Sequence, residues 1–129
     1  MAGKQRILVV DDDPSALEFV TTVLQGAGYR VERASDGPTA LKKAKTALPD
    51  LVVLDVAMPG MDGLAVCDEL RFDPRTRDVP IIFISGQADD DTEALASALD
   101  AYAFIRKPFT PEELLSEVHN CLTVFGREA

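Results

Sequence analysis

Two hydrophobic periods alternate along the chain. Apolar runs of strand length fall at 7 to 10, 51 to 54 and 81 to 84, with weaker ones at 30 to 34 and 102 to 105. Helical spacing fills the intervals. After Asp13, the residues Ala16, Leu17, Val20, Val23, Leu24 and Ala27 recur every three or four positions and predict one buried helix face. Asp13 supplies its N-cap and Pro14 its first helical position. A second helix is predicted from near Asp36, burying Ala40, Leu41, Ala44, Ala47 and Leu48, leaving Lys42, Lys43 and Lys45 in water, and ending at Pro49. A third is predicted from about Gly63 to Phe72, with Leu64, Cys67 and Leu70 inward. A fourth, alanine-rich helix spans roughly Asp90 to Leu99, with Asp89, Asp90 and Asp91 capping it. Thr110 and Pro111 open a fifth, in which Glu113 completes a capping box and Leu114, Leu115, Val118, Leu122 and Phe125 lie inside.

Five βα units with apolar central strands predict a parallel sheet covered on both faces and joined by right-handed crossovers. At 129 residues the chain fits a single domain, 1–129 with its core at about 6–125, and no output domain is expected. Thirteen basic against 22 acidic residues give a formal charge of -9, which opposes a polyphosphate backbone, so direct nucleic-acid binding is not expected. Arg71, Arg75 and Arg77 lie close together without interleaved aromatics and read as a solvated loop face. Cys67 and Cys121 suit neither a zinc site nor a disulfide framework and read as small buried apolar residues. No signal peptide or membrane span is legible, and a cytoplasmic location is the expectation.

The chemistry sits where the apolar runs stop. Asp11 and Asp12 follow ILVV, Asp55 follows LVVL, and Lys107 follows the run AFI by one residue. In an open parallel sheet, side chains past the carboxyl ends of the strands converge on a crevice where ligands bind. Asp13 is explained by the helix dipole alone, but adjacent carboxylates at ~4 Å repel by about 1 to 4 kcal/mol unless a cation or solvent relieves them. Asp11, Asp12 and, if it joins them, Asp55 therefore read as ligands of a hard divalent cation, for which magnesium is the natural candidate. Lys107 beside such a site would hold phosphate oxygen as a point charge, and Ser85 adds a hydroxyl at the same edge. The Lys107–Pro108 bond, at a strand end, is open to the cis state. GAGYRV at 26 to 31 lacks the third glycine of a dinucleotide fingerprint, and a lone His119 on a terminal helix reads as structural.

The segments ILVVDDDP, VVLDVAMPGMDG, IIFISG and FIRKPF together resemble, in order and spacing, the signature segments of response-regulator receiver domains. The resemblance covers nearly the whole chain, from Arg6 through the fifth helix. It implies a flavodoxin-like, doubly wound five-stranded parallel sheet of order 2-1-3-4-5 with five helices. It implies that Asp55 is the phosphoacceptor, that Asp12, Asp55 and the backbone carbonyl of Ala57 bind Mg²⁺, and that Asp11 contributes through water. Lys107 and Ser85 would hold the phosphoryl oxygens, with Ser85 and Phe104 as the switch pair; Phe104 can turn inward but lacks the hydroxyl a tyrosine would bring. The donor would be a sensor histidine kinase or phosphotransfer protein. The output surface would be the face of the fourth helix, last strand and fifth helix, which a downstream protein would bind.

The chemistry would be directed at the chain itself, so it is not expected to be an enzyme acting on other substrates. The alternatives are a magnesium phosphatase with an aspartate nucleophile, against which Ala57 argues, and a receiver-like interaction module that works without phosphorylation. Two positions depart from the common family pattern. Asp100 stands where many receivers place glycine, and aspartate tolerates a left-handed backbone better than most residues. Ala57 offers no side chain to orient an attacking water, so Gln87 is expected to serve dephosphorylation instead.

Overall fold

Alternate residues of the central strands face opposite layers, and that alternation builds two cores on one sheet. The computed structural model describes residues 4–86 and 90–125. Gln87 and Asp89, to which the sequence reading assigned roles, lie outside the described residues. The chain runs β1 (Arg6–Val10), α1 (Pro14–Gly26), β2 (Arg30–Ala34), α2 (Gly37–Thr46), β3 (Leu51–Asp55), α3 (Gly63–Phe72), β4 (Ile81–Ser85), α4 (Asp90–Ala98), β5 (Ala103–Arg106) and α5 (Pro111–Phe125). All strand pairs are parallel and the order is β2-β1-β3-β4-β5, as the resemblance implied.

Leu8, Val10, Val52, Leu54, Ile81 and Phe83 meet Ala40 and Ala44 of α2 and Val66, Cys67 and Leu70 of α3. Their neighbours Ile7, Val9, Leu51, Val53, Ile82 and Ile84 meet Leu17, Val20 and Leu24 of α1 and Leu114, Val118 and Cys121 of α5. Full burial of each large aliphatic side chain contributes roughly 1.5–3 kcal/mol, and a one-residue slip of register would turn one core layer against the other. Both cysteines are buried and free.

The caps agree with the sequence. Asp13 accepts from the Ala16 amide at 2.9 Å, and Asp36 from Thr39 at 2.7 Å. Thr110 and Glu113 form the reciprocal box, at 3.0 and 2.8 Å. Asp100 takes φ 61°, the left-handed conformation its position demands.

Several burial expectations fail, each at an element end. Ala27 is exposed because the first helix stops at Gly26 and Ala27 caps it. Leu48 is 53% exposed, since α2 stops at Thr46 and the periodicity no longer applies there. Phe125 is 51% exposed at the end of α5, where Cys121 and Leu122 take the inward positions. Lys43 is half-buried, donating to the Arg33 carbonyl at 2.6 Å, and Lys45 lies 3.7 Å from Asp73, so neither is simply solvated. Arg71 is no loop-face residue either. Its guanidinium donates to the carbonyls of Leu99, Arg77, Val79 and Asp100 at 2.9, 2.9, 2.7 and 3.2 Å, tying the end of α3 to the turns before β4 and β5.

Candidate functional site

Asp55 is the last residue of β3, paired in register with Ile84, and the ladder continues one step beyond it where the Val56 amide donates to the Ile84 carbonyl at 3.0 Å. The Val56 carbonyl then accepts from the Gly63 amide at 2.9 Å, which folds the loop Ala57–Asp62 back onto the strand end. Gly63 makes this possible. A Cβ there would overlap the Asp55 carbonyl oxygen and come within 2.9 Å of the Val56 Cα, so α3 can begin against the strand only with glycine. Asp62, one residue earlier, caps that helix through the Ala65 amide at 2.9 Å.

Asp11 extends β1 by one residue, its amide donating to the Ala34 carbonyl at 3.1 Å. One carboxylate oxygen accepts from the Asp13 amide at 3.0 Å and the other faces the Lys107 ammonium at 3.4 Å. Lys107 extends β5 in the same way, its amide donating to the Ser85 carbonyl at 2.9 Å, and the bond to Pro108 is cis. From there its Nζ reaches Asp55 Oδ1 at 3.3 Å. Asp12 is exposed on the loop between β1 and α1, yet each of Asp11, Asp12 and Asp55 offers a carboxylate oxygen within 4.8 Å of the others. Ser85 is fully buried at the end of β4.

The electrostatics follow from burial. Asp55 is 4% exposed, and desolvation, with Asp11 next and Asp12 last among the causes, raises its pKa to about 6 despite the opposing Lys107. Burial alone would lower Lys107, but the charges and hydrogen bonds of Asp55 and Asp11 outweigh it and hold the ammonium above its ordinary value. One ammonium, paired with Asp11 and Asp55, therefore stands beside a cluster of three carboxylates, an excess of negative charge at the sheet edge. The donors are all hard oxygens, close enough to share one small ion. The residues fit a divalent cation.

Asp11, Asp12, Asp55, Ser85 and Lys107 thus stand on the same sheet edge, as the sequence placed them. Phe104 lies on β5 in register with Phe83, ring centroids 6.4 Å apart, and is half-buried against the core on the α2 and α3 side. Ala57 is exposed on the loop just past β3. Two features escaped the sequence reading. One is the close approach of Gly63 to the end of β3, since the sequence predicts a helix from about Gly63 but carries no sign of what lies beneath it. The other is an apolar groove of about 450 Å³ beside the site, walled by Phe19, Val20, Lys107 and Phe109. Phe19 and Phe109 have ring centroids 5.9 Å apart, and Phe19 is 41% exposed. Its position off the buried stripe of Leu17, Val20 and Leu24 was the available signal.

Residues 7–119 match the family model described as the response regulator receiver domain. The chain is 43% identical over 115 residues to the DNA-binding response regulator MtrA of Mycolicibacterium smegmatis, covering 89% of this chain and 49% of that protein. It is 40% identical over 119 residues to the DNA-binding dual master transcriptional regulator RpaA of Synechocystis, covering 91% and 48%. The chain spans about half the length of these curated relatives. Among solved structures, the chemotaxis protein CheY4 of Vibrio cholerae superposes with a TM-score of 0.89 at 34% identity, covering 93% of this chain and all of that one. No helix among the described residues is long and apolar enough to cross a membrane.

Proposed function

The chain belongs to the response regulator receiver domain family of two-component signalling, and from that premise we propose that Asp55 is its phosphoacceptor and that Asp11, Asp12, Asp55 and the Ala57 carbonyl hold Mg²⁺, Asp11 through water. The observation that carries the proposal is the Asp55 carboxylate itself, buried at a strand end, 3.3 Å from the Lys107 ammonium and grouped with the carboxylates of Asp11 and Asp12. A bound Mg²⁺ would supply positive charge against the phosphoryl oxygens and lower the proton affinity of the cluster.

The residues of the chain divide the remaining work. An Asp55 oxygen attacks phosphorus in line, the P–N bond of a partner's phosphohistidine breaks, and the imidazole leaves with the electron pair. Lys107, already within 3.3 Å of Asp55, holds one phosphoryl oxygen, and the Ser85 hydroxyl holds another. The donor protein, a sensor histidine kinase or phosphotransfer protein, covers the apolar groove of Phe19 and Phe109. Lys107 forms one wall of that groove, so anything seated there lies beside Asp55.

Drawing Ser85 toward the acyl phosphate frees space next to β5, into which Phe104 turns from its half-buried position. That movement changes the face of α4, β5 and α5 for a downstream protein. DNA binding is a property named for MtrA, of which this chain matches about half; the charge of -9 works against a direct nucleic-acid contact here. The reading is tested by intact-protein mass after treatment with acetyl phosphate or phosphoramidate. A single phosphoryl adduct that needs Mg²⁺ supports it, and absence of an adduct overturns it.

A further inference from the structure

At the opposite end of the sheet from Asp55, a cleft of about 400 Å³ opens at the amino-terminal ends of β1 and β2, lined by Lys4, Arg6, Gln25, Tyr29 and Arg30 among others. Arg6 and Arg30 are register partners on adjacent parallel strands. Like charges directly opposite each other on a sheet are destabilising unless something neutralises them. Among the described residues no carboxylate lies within ion-pair distance of Lys4, Arg6 or Arg30, although the chain carries 22 acidic residues.

Two acidic residues close to the cleft make other contacts. Glu32 lines the cleft but lies 4.0 Å from Lys43, and Asp50 accepts from the Arg6 backbone amide at 2.8 Å. The backbone beneath the cations is also fixed. The Arg6 carbonyl accepts from the Asp50 amide at 2.8 Å, and the Arg30 amide donates to the Gln5 carbonyl at 2.9 Å. Tyr29 is half-buried in the wall, and burial holds its phenol above the ordinary value, so it stays a proton donor.

We infer that this cleft binds a small molecule bearing two linked phosphates. Cα atoms of neighbouring strands lie roughly 5 Å apart, so two planar guanidinium groups borne on them can each engage one of two adjacent phosphates. Lys4 adds a third charge, and Gln25 and Tyr29 offer neutral donors. A long polyanion fits less well, because it would run past the cleft into the field of a chain with net charge -9. This site is independent of the Asp55 chemistry.

The test is calorimetric titration of the full chain with inorganic pyrophosphate in EDTA at low salt, with phosphate, adenosine, ADP and a short single-stranded DNA as further arms. Saturable binding of one pyrophosphate and of ADP, with none of adenosine, is expected. Arg30→Gln, a change at an exposed position, and Arg6→Gln with Arg30→Gln should weaken it by about tenfold or more, while circular dichroism shows an unchanged fold. Asp55→Asn should bind pyrophosphate as the parent chain does. Unsaturable binding, equal affinity in the arginine variants, loss in Asp55→Asn, or tighter binding of the oligonucleotide through the same arginines would each overturn the inference.

Discussion

Lys107 and Asp55, 52 residues apart in sequence, meet at 3.3 Å across the top of β4. The contact joins β5 to β3 and leaves a buried carboxylate facing a cation that it shares with Asp11. Much of the behaviour expected of the site follows from what happens when either charge is changed.

Burial pushes the Asp55 carboxyl up to about 6 in the folded chain from an ordinary 3.8. Between those values the folded state holds a proton that the unfolded state has released, so stability falls as pH rises through this window and stays lower above it. Asp55→Asn removes the cost. It should stabilise the chain by about 1 to 3 kcal/mol at pH 7 and by close to nothing at pH 3.5, as read from urea midpoints at the two pH values.

Protons and a divalent cation compete for the same carboxylate. Apparent Mg²⁺ affinity should therefore decline as pH is lowered through about 6, measured by a rise in melting temperature on Mg²⁺ addition. An Mg²⁺ effect equal at pH 5 and pH 7.5 would speak against Asp55 as a ligand.

Lys107→Met leaves Asp11 and Asp55 without their shared cation. The expected loss is about 1 to 3 kcal/mol at pH 7 and less at pH 5, where Asp55 is already largely protonated with Lys107 in place. Denaturation at the two pH values separates this from a packing defect, which would cost the same at both.

Gly63→Ala places a Cβ against the Asp55 carbonyl and the Val56 Cα, both backbone and neither free to yield. A loss of about 2 to 4 kcal/mol is expected. Gly60→Ala provides a contrast in kind, since its strain comes from φ 73° with open space around it.

Arg71→Ala removes the donor to four carbonyls and should cost about 2 to 4 kcal/mol. Amide exchange should quicken first at Leu99 to Tyr102, where two of those carbonyls lie. Arg71→Lys should not rescue it, because an ammonium cannot span the same fork.

The strands and helices were legible because burial on one face leaves a period in the sequence, and caps such as Asp13, Asp36 and Thr110 mark where each helix starts. The site was legible for a similar reason: charges that end apolar runs in a parallel sheet share one edge. What failed had no local signal. Leu48 and Phe125 continue a helical period past the point where the helix stops, and Arg71 looks like its neighbours Arg75 and Arg77 until the turns it binds are brought together. Gly63 reveals its role only once Asp55 is seen beneath it.

The central claim is that Asp55 carries the phosphoryl group, and borohydride reduction of the phosphorylated chain followed by peptide mass spectrometry tests it most directly. Reduction converts an aspartyl phosphate to homoserine, so homoserine is expected at position 55 after treatment with phosphodonor and Mg²⁺, and at no other position. Homoserine at Asp11 or Asp12 instead, or a phosphoryl adduct that persists in Asp55→Asn, would contradict it.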